Sequence, residues 1–417
     1  MNPLVSICCT TYNHGKYIRD TINAFLMQRC DFEYEILIHD DASTDDTQSI
    51  ILEFQNRYPD VIFAILQKEN QLSQKIIPSH INYRRARGKY LAICEGDDRW
   101  TDPDKLAKQV KKLCANQEYH LCFHPAYEKN VLEPVKDYLI CGRYLNHTGF
   151  VSTEDVIAKS YGMIPTASMM VTSEAMAKVL SYVSCRSYLC IGDIYIQIIS
   201  ASMGKGAIYI DEVMSIYHSY TESSWSLANS RNPEKYLNNT MSIMKSYFEL
   251  DRMYNFEYHL AYRQALLQQI YMLSSPLLEN YEVVNLYMEM FYSVLIRYLS
   301  EVTELKKIYL YGAGSFSGFL IEKLSRNVLG VIDSDATKWG NKFYSKPVCS
   351  PTSLNSDDVV FISLLGRESL IIRDSLSGHS REQIMTANAV ISDDSIFQNL
   401  YELIKLEDQN FQATVTL

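Results

Sequence analysis

A cluster of acidic residues follows an apolar run in the first quarter of the chain. The run covers residues 89–94, and Glu95, Asp97 and Asp98 come directly after it. Carboxylate oxygens suit hard cations such as Mg²⁺ or Mn²⁺, and magnesium sites combine one or two carboxylates with phosphate oxygens. Acidic clusters are also typical of solvated turns, because Asp is a common turn residue. These residues alone leave both interpretations open.

The segments that would position this cluster alternate between strand and helix over residues 1–115. Short apolar runs predict strands at residues 4–10, 34–38, 61–66 and 89–94, with helices between them. This alternation predicts a mainly parallel α/β sheet. In such sheets ligands gather at the carboxyl ends of the strands, where Thr10, Asp40-Asp41 and Asp97-Asp98 fall.

Two helix starts are predicted from capping residues. Residues 43–46 contain Ser43, Asp45 and Asp46, and acidic residues are favourable in a first helical turn. Asp102-Pro103 supplies an N-cap followed by a proline at the first helical position. We therefore expect one helix to begin at each of these segments.

The bulk composition limits the class of protein. A chain of 417 residues suggests two or three domains, and a net charge of −10 argues against nucleic-acid binding. Ten cysteines without a C-x-x-C pair argue against a zinc ribbon or a secreted disulfide framework and favour a reducing cytoplasm. The first residues lack the pattern of a signal peptide, and no apolar run approaches the roughly 18 residues of a membrane span. Peripheral membrane contact stays open.

The pattern changes further along the chain. Residues 116–228 show a mixed pattern of strand and helix signals, and Gly192-Asp193 precedes an apolar helical run. Residues 229–303 are predicted to be helical and to form core or a subunit interface, which leaves a homo-oligomer open. Residues 304–400 return to strand–helix alternation, and residues 401–417 are a C-terminal tail.

Four motifs occur in order in the first half of the chain. They are VSICCTTYNHGKYI (5–18), EILIHDDASTDDT (35–47), GKYLAICEGDDRWTDPDKL (88–106) and IGDIYIQIISASMGKGAIYIDEVMSIYH (191–218). Together they resemble the family 2 glycosyltransferases of bacterial surface polysaccharide synthesis. The resemblance covers residues 1–228 and implies a GT-A nucleotide-diphospho-sugar transferase fold there.

The resemblance implies a donor site at the strand ends. Thr10 and Tyr12 match nucleotide contacts, and Asp41 matches a contact to uracil or ribose, which favours a UDP-sugar donor. The alternative roles are a packed aromatic for Tyr12 and a helix cap for Asp41. The other three matches belong to the family's D-x-D element: Asp98 would ligate Mn²⁺ or Mg²⁺, Asp97 would contact ribose or a metal-bound water, and Glu95 stands where an Asp is usual.

The resemblance also implies an acceptor side. Asp193 matches the general base of inverting members, with a helix N-cap as the alternative role. Residues 163–168 match an acceptor-side loop or form an ordinary turn, and His124 is more simply a satisfied core histidine. Where relatives often end the domain with Tyr-Arg-x-His, this chain has His218 and Tyr220 in place of the Arg and the final His.

A glycine-rich turn begins the predicted C-terminal domain. Gly312, Gly314 and Gly318 follow a predicted strand, and Asp333 ends the next one. The pattern resembles Rossmann-like modules and would suit a second nucleotide over a helix N-terminus. A tight strand–helix turn needs glycine whether or not anything binds, so a structural or assembly module is the alternative.

The functional expectation is an inverting, metal-dependent glycosyltransferase of the hexosyltransferase type. It would move a sugar from a nucleotide-sugar to a glycan or lipid-linked glycan, in the cytoplasm or at the inner face of the cell membrane. One alternative is a non-catalytic scaffold or regulator that binds nucleotide-sugars. An NAD-dependent oxidoreductase built on the last block is the other, although that block is small for a dinucleotide domain.

Overall fold

The structure is a computed structural model that describes most of the chain. It describes residues 3–133, 138–159, 162–184, 192–222, 224–273, 307–313, 315–324, 326–355, 357–362, 376 and 384–386. Gly314, residues 274–303 of the predicted helical segment and the tail of residues 401–417 lie outside this description. Contacts within the chain divide it into two compact units, Met1–Ser242 and Ile243–Leu417. The domain boundaries at residues 228, 303 and 400 stay predictions.

The first unit contains twelve described strands. They are β1 (Val5–Thr11), β2 (Tyr34–Asp40), β3 (Ile62–Leu66), β4 (Tyr90–Glu95), β5 (Arg99–Trp100), β6 (Leu121–Phe123), β7 (Ala126–Asn130), β8 (Leu139–Cys141), β9 (Gly149–Val151), β10 (Met170–Thr172), β11 (Ala207–Tyr209) and β12 (Ser215–Ser219). Eight of them form one sheet in the order β3-β2-β1-β4-β10-β6-β11-β9. The first four are mutually parallel, and β10 joins them antiparallel to β4. The predicted strands of the first quarter therefore form, in a parallel arrangement.

Helices cover this sheet and follow the predicted alternation. They are α1 (Ile18–Leu26), α2 (Thr47–Arg57), α3 (Pro78–Arg85), α4 (Lys105–Ala115), α5 (Thr153–Ala158), α6 (Ser173–Ser184) and α7 (Gly192–Ser202). Helix α1 buries Ile18, Ile22 and Phe25, which recur every three or four residues and so share one face. This face packs into the same core as the apolar residues of β1, β2 and β4.

A second, smaller sheet has the order β5-β12-β7-β8. Its strand β5 begins directly after Asp98, and β12 pairs with it through Ser215 and Trp100. Because β12 (Ser215–Ser219) pairs with β5, residue 218 lies close to the acidic cluster.

One predicted helix start is wrong. Helix α4 begins at Lys105, with Asp104 as its N-cap, and not at Asp102-Pro103. The Asp102 carboxylate instead accepts the Asp104 N–H at 2.7 Å and the Lys108 ammonium at 2.6 Å. These two bonds form a turn that precedes the helix, because a short Asp side chain can bond the backbone two residues on.

The predicted helical segment is helical where it is described, with a break. Helices α8 (Trp225–Arg231), α9 (Pro233–Met253) and α10 (His259–Leu273) cover it, and turns occupy residues 254–258. The boundary between the two compact units falls within α9.

The second unit contains a further sheet. Its strands are β13 (Ile308–Tyr311), β14 (Val328–Ile332), β15 (Lys342–Phe343), β16 (Lys346–Cys349), β17 (Val359–Ile362) and β18 (Ile384–Thr386), in the order β15-β16-β14-β13-β17-β18. All neighbours are parallel except β15, and helix α11 (Ser315–Leu324) follows β13. The predicted strand–helix–strand order is present, and the Rossmann-like assignment stays a prediction.

Candidate active site

The carboxyl ends of β1, β2 and β4 lie side by side. The strand register sets Thr10 opposite His39 on one side and opposite Glu95 on the other. Two backbone bonds continue this junction beyond the strands: Gly96 donates to the Thr10 carbonyl at 2.9 Å, and Asp41 donates to the Thr11 carbonyl at 3.0 Å. The three strand-end motifs found in the sequence therefore meet at one edge of the sheet.

Asp98 is buried in this junction. It is 1% exposed, and its Oδ1 accepts the His218 backbone N–H at 3.0 Å. Its Oδ2 is buried and has no hydrogen-bond partner in the described part of the chain. Burial raises the pKa of Asp98 well above its usual range, and the charges of Asp97 and Glu95 raise it further. A carboxylate in this setting would be stabilised by a cation.

Asp97 differs from its neighbour because its side chain has protein partners. Its Oδ2 accepts the Thr221 hydroxyl at 2.7 Å and lies 3.6 Å from His14 Nε2. Its backbone carbonyl is 2.6 Å from His218 Nδ1. Asp97 therefore ties the loop after β12 to the acidic cluster.

Glu95 and Asp193 are close enough for their charges to interact. Loss of hydration raises the pKa of Glu95, and the negative charges of Asp97 and then Asp193 raise it further. The Glu95 side chain still reaches solvent, so water screens part of this repulsion. The charge of the acid that begins the fourth sequence motif therefore acts on the acid that precedes Asp97-Asp98.

Asp193 lies in the first turn of α7. Its Oδ1 accepts the Ile194 N–H at 2.9 Å, so the side chain also serves the helix N-terminus. Burial raises the pKa of Asp193, and the positive charge of Lys159 acts in the opposite direction. A carboxylate with a raised pKa is a better proton acceptor than an ordinary one near neutral pH.

The residues matched to the nucleotide lie on the β1 and β2 side of the cluster. Tyr12 follows β1 directly and is 36% exposed, so its ring is available to a ligand. Asp41 is buried, and its two oxygens accept the N–H groups of Gln71 at 2.6 Å and Leu72 at 3.2 Å. The carboxylate of Asp41 therefore caps a 3₁₀ turn (Leu72–Gln74) and not helix α2. A carboxylate has about four acceptor sites, so a further donor can still bind.

The two acids predicted to begin α2, Asp45 and Asp46, have different roles. Asp46 is the N-cap residue but makes no side-chain capping bond. Asp45 accepts the Thr47 N–H at 3.0 Å and the Gly15 N–H at 2.9 Å. This confirms a structural role for Asp45 and joins the loop after β1 to the start of α2.

Three residues of this junction received no donor-site role in the sequence interpretation. His14 and Thr221 contact Asp97, and His218 bonds Asp97 and Asp98. His14 lies inside the first motif, next to Tyr12-Asn13, which was its available signal. Thr221 had no signal, because its partner lies 124 positions away in the chain.

Unpartnered buried polar atoms surround Gly96. Thr11 Oγ1, His14 Nδ1 and Asp98 Oδ2 are all buried and make no hydrogen bond to the described residues. A Cβ atom at Gly96 would collide with the Thr11 side chain and lie 2.9 Å from His14 Nδ1. Since nearly all buried polar atoms in proteins are hydrogen-bonded, three exceptions at one turn are consistent with a polar ligand.

The acidic cluster offers few ligands to a divalent cation. No group of three or more His, Cys, Asp or Glu side chains among the described residues is arranged to hold a metal ion. A site of the magnesium type needs only one or two carboxylates, with phosphate oxygens as the other ligands. The free Oδ2 of Asp98 fits such a site as a single protein ligand.

The predicted acceptor-side loop contains a buried 3₁₀ turn, Thr166–Ser168. Ala167 and Ser168 are fully buried, whereas Met163 is exposed. His124 is fully buried, as expected of a core histidine, and its Nδ1 lies 2.9 Å from the Pro125 carbonyl. Its Nε2 has no partner among the described residues, so it is only half satisfied.

In the glycine turn of the second unit, the backbone N–H of Ala313 already has a hydrogen-bond acceptor within the protein. Gly312 has a φ of +102°, which glycine adopts readily, and the next N–H, from Ala313, donates to Asp333 Oδ2 at 2.8 Å. Lys338 donates to the same oxygen at 3.0 Å. Gly318 lies against the ring of Tyr344. A carboxylate thus holds the N–H that a phosphate would need, and the second nucleotide site stays a prediction.

Within the described residues, no helix has both the length and the apolar character required to cross a membrane.

Residues 6–178 match the model of the family described as glycosyl transferase family 2. A stretch of 125 residues is 47% identical to an uncharacterised protein of Mycobacterium tuberculosis, over 29% of this chain and 34% of that protein. A stretch of 109 residues is 35% identical to the putative teichuronic acid biosynthesis glycosyltransferase TuaG of Bacillus subtilis, over 26% of this chain and 41% of that protein. The chain thus spans well under half the length of these relatives.

Among solved structures, one similar fold is that of a TarS fragment from S. aureus in complex with UDP. It is 15% identical, with a TM-score of 0.49, over 78% of this chain and 87% of that chain. The family match and the similarity to TuaG support a glycosyl transferase family 2 domain in the first part of the chain.

Proposed function

We propose that this chain is an inverting, metal-dependent glycosyltransferase. It transfers a sugar from a nucleotide-sugar, a UDP-sugar by preference, to a glycan or lipid-linked glycan acceptor. The observation that carries the proposal is the buried, unpartnered Oδ2 of Asp98 near Glu95, whose pKa is raised by burial and further by the negative charges of Asp97 and Asp193. A transferase that displaces a diphosphate needs these two features, a cation site for the leaving group and a base for the attacking hydroxyl.

The donor binds across the ends of β1, β2 and β4. Tyr12 stacks on the base with its exposed ring, and Asp41 accepts a hydrogen bond from the base or ribose. Thr10, at the end of β1 between His39 and Glu95, contacts the nucleotide. Asp97 contacts the ribose or a metal-bound water, and Glu95 lies on the side nearest the sugar. Asp98 is the ligand for Mn²⁺ or Mg²⁺, which offsets the negative charge of the departing diphosphate when bound.

Asp193 is the general base of the transfer step. Its carboxylate takes the proton from the acceptor hydroxyl while that oxygen forms a bond to the anomeric carbon. The bond from the anomeric carbon to the diphosphate oxygen breaks on the opposite face, so the electron pair leaves with the nucleoside diphosphate and the configuration is inverted. The raised pKa of Asp193 suits it to this proton transfer.

The acceptor is proposed from a relative and not from the site. TuaG is described as a putative teichuronic acid biosynthesis glycosyltransferase, which favours a surface polysaccharide as the acceptor class. The cytoplasmic location, contact with the inner face of the membrane and a homo-oligomer stay predictions, because no described contact tests them.

The proposal is tested by measuring nucleoside diphosphate release from a panel of nucleotide-sugars, with and without Mn²⁺ and a glycan acceptor. We expect release with a UDP-sugar that needs both the metal and the acceptor. Asp193→Asn should lower the turnover number by about 10²–10⁴-fold, the usual contribution of a general base. It should leave UDP binding unchanged, since the donor binds on the other side of the acidic cluster.

Asp155→Asn is the matched control for Asp193→Asn. Asp155 is also in the first turn of a helix, and it accepts the Ser152 hydroxyl at 2.9 Å on the protein surface. Normal turnover of Asp193→Asn would refute the base assignment. Tight binding of UDP-sugars without transfer to any acceptor would favour the non-catalytic scaffold instead.

A further inference from the structure

The loop of residues 164–168 is bonded to two parts of the proposed site. Trp100, two positions after Asp98, donates its indole N–H to the Ala167 carbonyl at 3.0 Å. Gln197, one helical turn after Asp193, donates its side-chain amide to the Ile164 carbonyl at 3.3 Å. Both side chains are buried. The loop thus joins the segment of the proposed metal ligand to the helix of the proposed base.

A third donor holds the end of the same loop. Gln109 in α4 is fully buried, and its Nε2 donates to the Ser168 carbonyl at 2.8 Å. The Ser168 hydroxyl turns back to the Pro165 carbonyl at 2.6 Å, which closes the turn internally. Side-chain donors from β5, α4 and α7 therefore hold three carbonyls of a five-residue segment.

A buried lysine fixes the direction of the Gln109 amide. Lys105 is fully buried, and its Nζ donates to Gln109 Oε1 at 2.8 Å and lies 4.1 Å from the centre of the Trp100 ring. Burial lowers the pKa of Lys105 to about 7, and its Nζ donates to the Gln109 oxygen. The NH₂ group of Gln109 is therefore left to donate to the Ser168 carbonyl and, at 3.3 Å, to the Cys122 carbonyl. Burying a lysine that has no carboxylate partner among the described residues is costly, and an apolar residue would suit a purely structural position better.

We propose that Gln109 and Gln197 are positioning residues, which hold the loop of residues 164–168 and thereby fix the separation between Asp98 and Asp193. This inference rests on the proposed function. The two acids act on opposite faces of the same sugar carbon, so a displacement of about 1 Å could lower turnover about 10²-fold. Neither glutamine contacts the donor in this arrangement, so nucleotide affinity should not depend on them.

The decisive variant is Gln109→Glu in the full-length protein. The new carboxylate keeps a partner for Lys105 but cannot donate to the Ser168 or Cys122 carbonyl. The loop therefore loses one of its three side-chain donors while the buried lysine gains an ion pair. We expect a turnover number 10- to 100-fold below wild type, with UDP affinity within about twofold. Amide hydrogen exchange should become faster at residues 166–169 and stay unchanged in β1.

Gln28→Glu is the matched control for Gln109→Glu. Gln28 is a buried glutamine of the same unit, and it bonds the Ala24 and Asp102 carbonyls and the Leu106 N–H, away from the loop. It should not alter turnover. Gln197→Leu provides a second test if Gln109→Glu does not fold, with the same expected split between turnover and UDP affinity.

Each outcome decides the inference. Wild-type turnover in either variant would overturn it, whether or not exchange at residues 166–169 becomes faster. Equal losses of turnover and UDP affinity would also overturn it, since they would indicate a general structural role. If the wild-type protein transfers no sugar, the proposed function fails by itself. The exchange experiment then still decides whether these glutamines hold the loop.

Discussion

The two units of this protein each contain an acid at the end of a parallel strand beside a glycine turn, and the two acids have opposite surroundings. Asp98 in the first unit follows β4 and Gly96, and it lies among other carboxylates with one oxygen unpartnered. Asp333 in the second unit follows β14 and faces Gly312. Its oxygens accept bonds from the N–H groups of Ala313 and Asp335 and from Lys338.

Because their hydrogen-bond partners differ, the pKa values of Asp98 and Asp333 shift in opposite directions. Burial raises the pKa of Asp98, and its neighbouring acids add to the increase. Burial alone would also raise the pKa of Asp333, but the N–H groups of Ala313 and Asp335 and then Lys338 outweigh it, and its pKa falls below the usual range. A strand-end acid with one unpartnered oxygen is a candidate ligand for a cation, whereas one whose oxygens are all held by donors is a structural cap. The sequence pattern alone does not separate these cases.

The largest expected effect comes from replacing Asp98. Asp98→Asn should abolish metal-dependent UDP binding and lower transfer by at least about 10²–10³-fold, because an amide cannot offset the charge of a cation. The measurement is UDP titration with and without Mn²⁺, together with turnover. Without metal, the variant should be at least as stable as wild type, since one of several neighbouring negative charges is removed.

Asp333→Asn is the matched control for the comparison, because it makes the same change in the second unit. It should leave UDP binding and turnover unchanged. Loss of Mn²⁺-dependent UDP binding in Asp333→Asn but not in Asp98→Asn would reverse our assignment of the two acids.

The next largest effect should follow Gly96→Ala. A Cβ atom at this position would lie 2.9 Å from His14 Nδ1 and would collide with Thr11, so the turn that carries Asp97 and Asp98 must move away from β1. We expect a loss of about 1–3 kcal/mol in unfolding free energy, as for other overpacked positions, and weaker Mn²⁺-dependent UDP binding. Chemical denaturation and UDP titration measure the two effects.

Gly192→Ala is the control for Gly96→Ala. A Cβ atom at Gly192 meets no atom within 4 Å, although the residue is adjacent to Asp193. Its stability should be close to that of wild type. A Gly96→Ala protein as stable and active as Gly192→Ala would contradict the close packing of the acidic turn.

The strands of the first unit could be predicted because each is a short apolar run that stops at polar residues. The predicted run of residues 34–38 became Tyr34–Asp40, and that of residues 89–94 became Tyr90–Glu95. The helix start predicted at Asp102-Pro103 was wrong because an acid before a proline suits either a helix start or a turn. There the bond from Asp104 to the Asp102 carboxylate favours the turn.

The partners of the site residues could not be predicted, because they are distant in the chain. Asp41 caps a turn that begins about 30 positions later, and Asp97 bonds Thr221 from 124 positions away. That Asp98 and Asp193 serve one site was expected only through the family resemblance, and it stays a prediction. Sequence patterns identified which residues carry charge, and the structure was needed to learn which charges are already satisfied.

A smaller effect is expected from Asp333→Asn on the stability of the second unit. The carboxylate accepts three hydrogen bonds, one of them from a charged lysine, so its replacement should lower the unfolding free energy by about 1–3 kcal/mol. Because the pKa of Asp333 is lower in the folded state than in the unfolded state, its contribution is fully present above the ordinary Asp value of about 4. The contribution is lost as the pH falls from there through the folded pKa.

The difference between wild type and Asp333→Asn should therefore be constant from pH 5 to 7 and shrink below about pH 4. Urea unfolding at several pH values measures it, with hydrogen exchange in β13 and β14 reporting on this unit. A difference that grows as the pH falls would mean that Asp333 is protonated in the folded state, and the contrast with Asp98 would disappear.

The smallest effect is expected at Asp97, whose hydrogen bonding is intermediate between that of Asp98 and that of Asp333. Asp97 belongs to the acidic cluster, yet its Oδ2 has a donor in the Thr221 hydroxyl, as Asp333 has its own donors. Thr221→Val removes that donor while keeping the shape of the side chain, and it should cost about 0.5–1.5 kcal/mol of unfolding free energy. Because the loop after β12 is then less firmly held to Asp97, UDP affinity should fall by a few-fold, within the same energy range.

Thr153→Val is the control for this change, since Thr153 is also buried and donates its hydroxyl to a carbonyl, that of Ala201, at 3.2 Å. We expect a similar loss of stability from Thr153→Val and no change in UDP affinity. If both variants bind UDP equally well, Asp97 has a structural role like that of Asp333. Asp98 then contributes to the donor site and Asp97 does not. If Thr221→Val alone binds UDP more weakly, the acid that caps the loop also contributes to the donor site, and partial satisfaction of a strand-end acid is compatible with ligand binding.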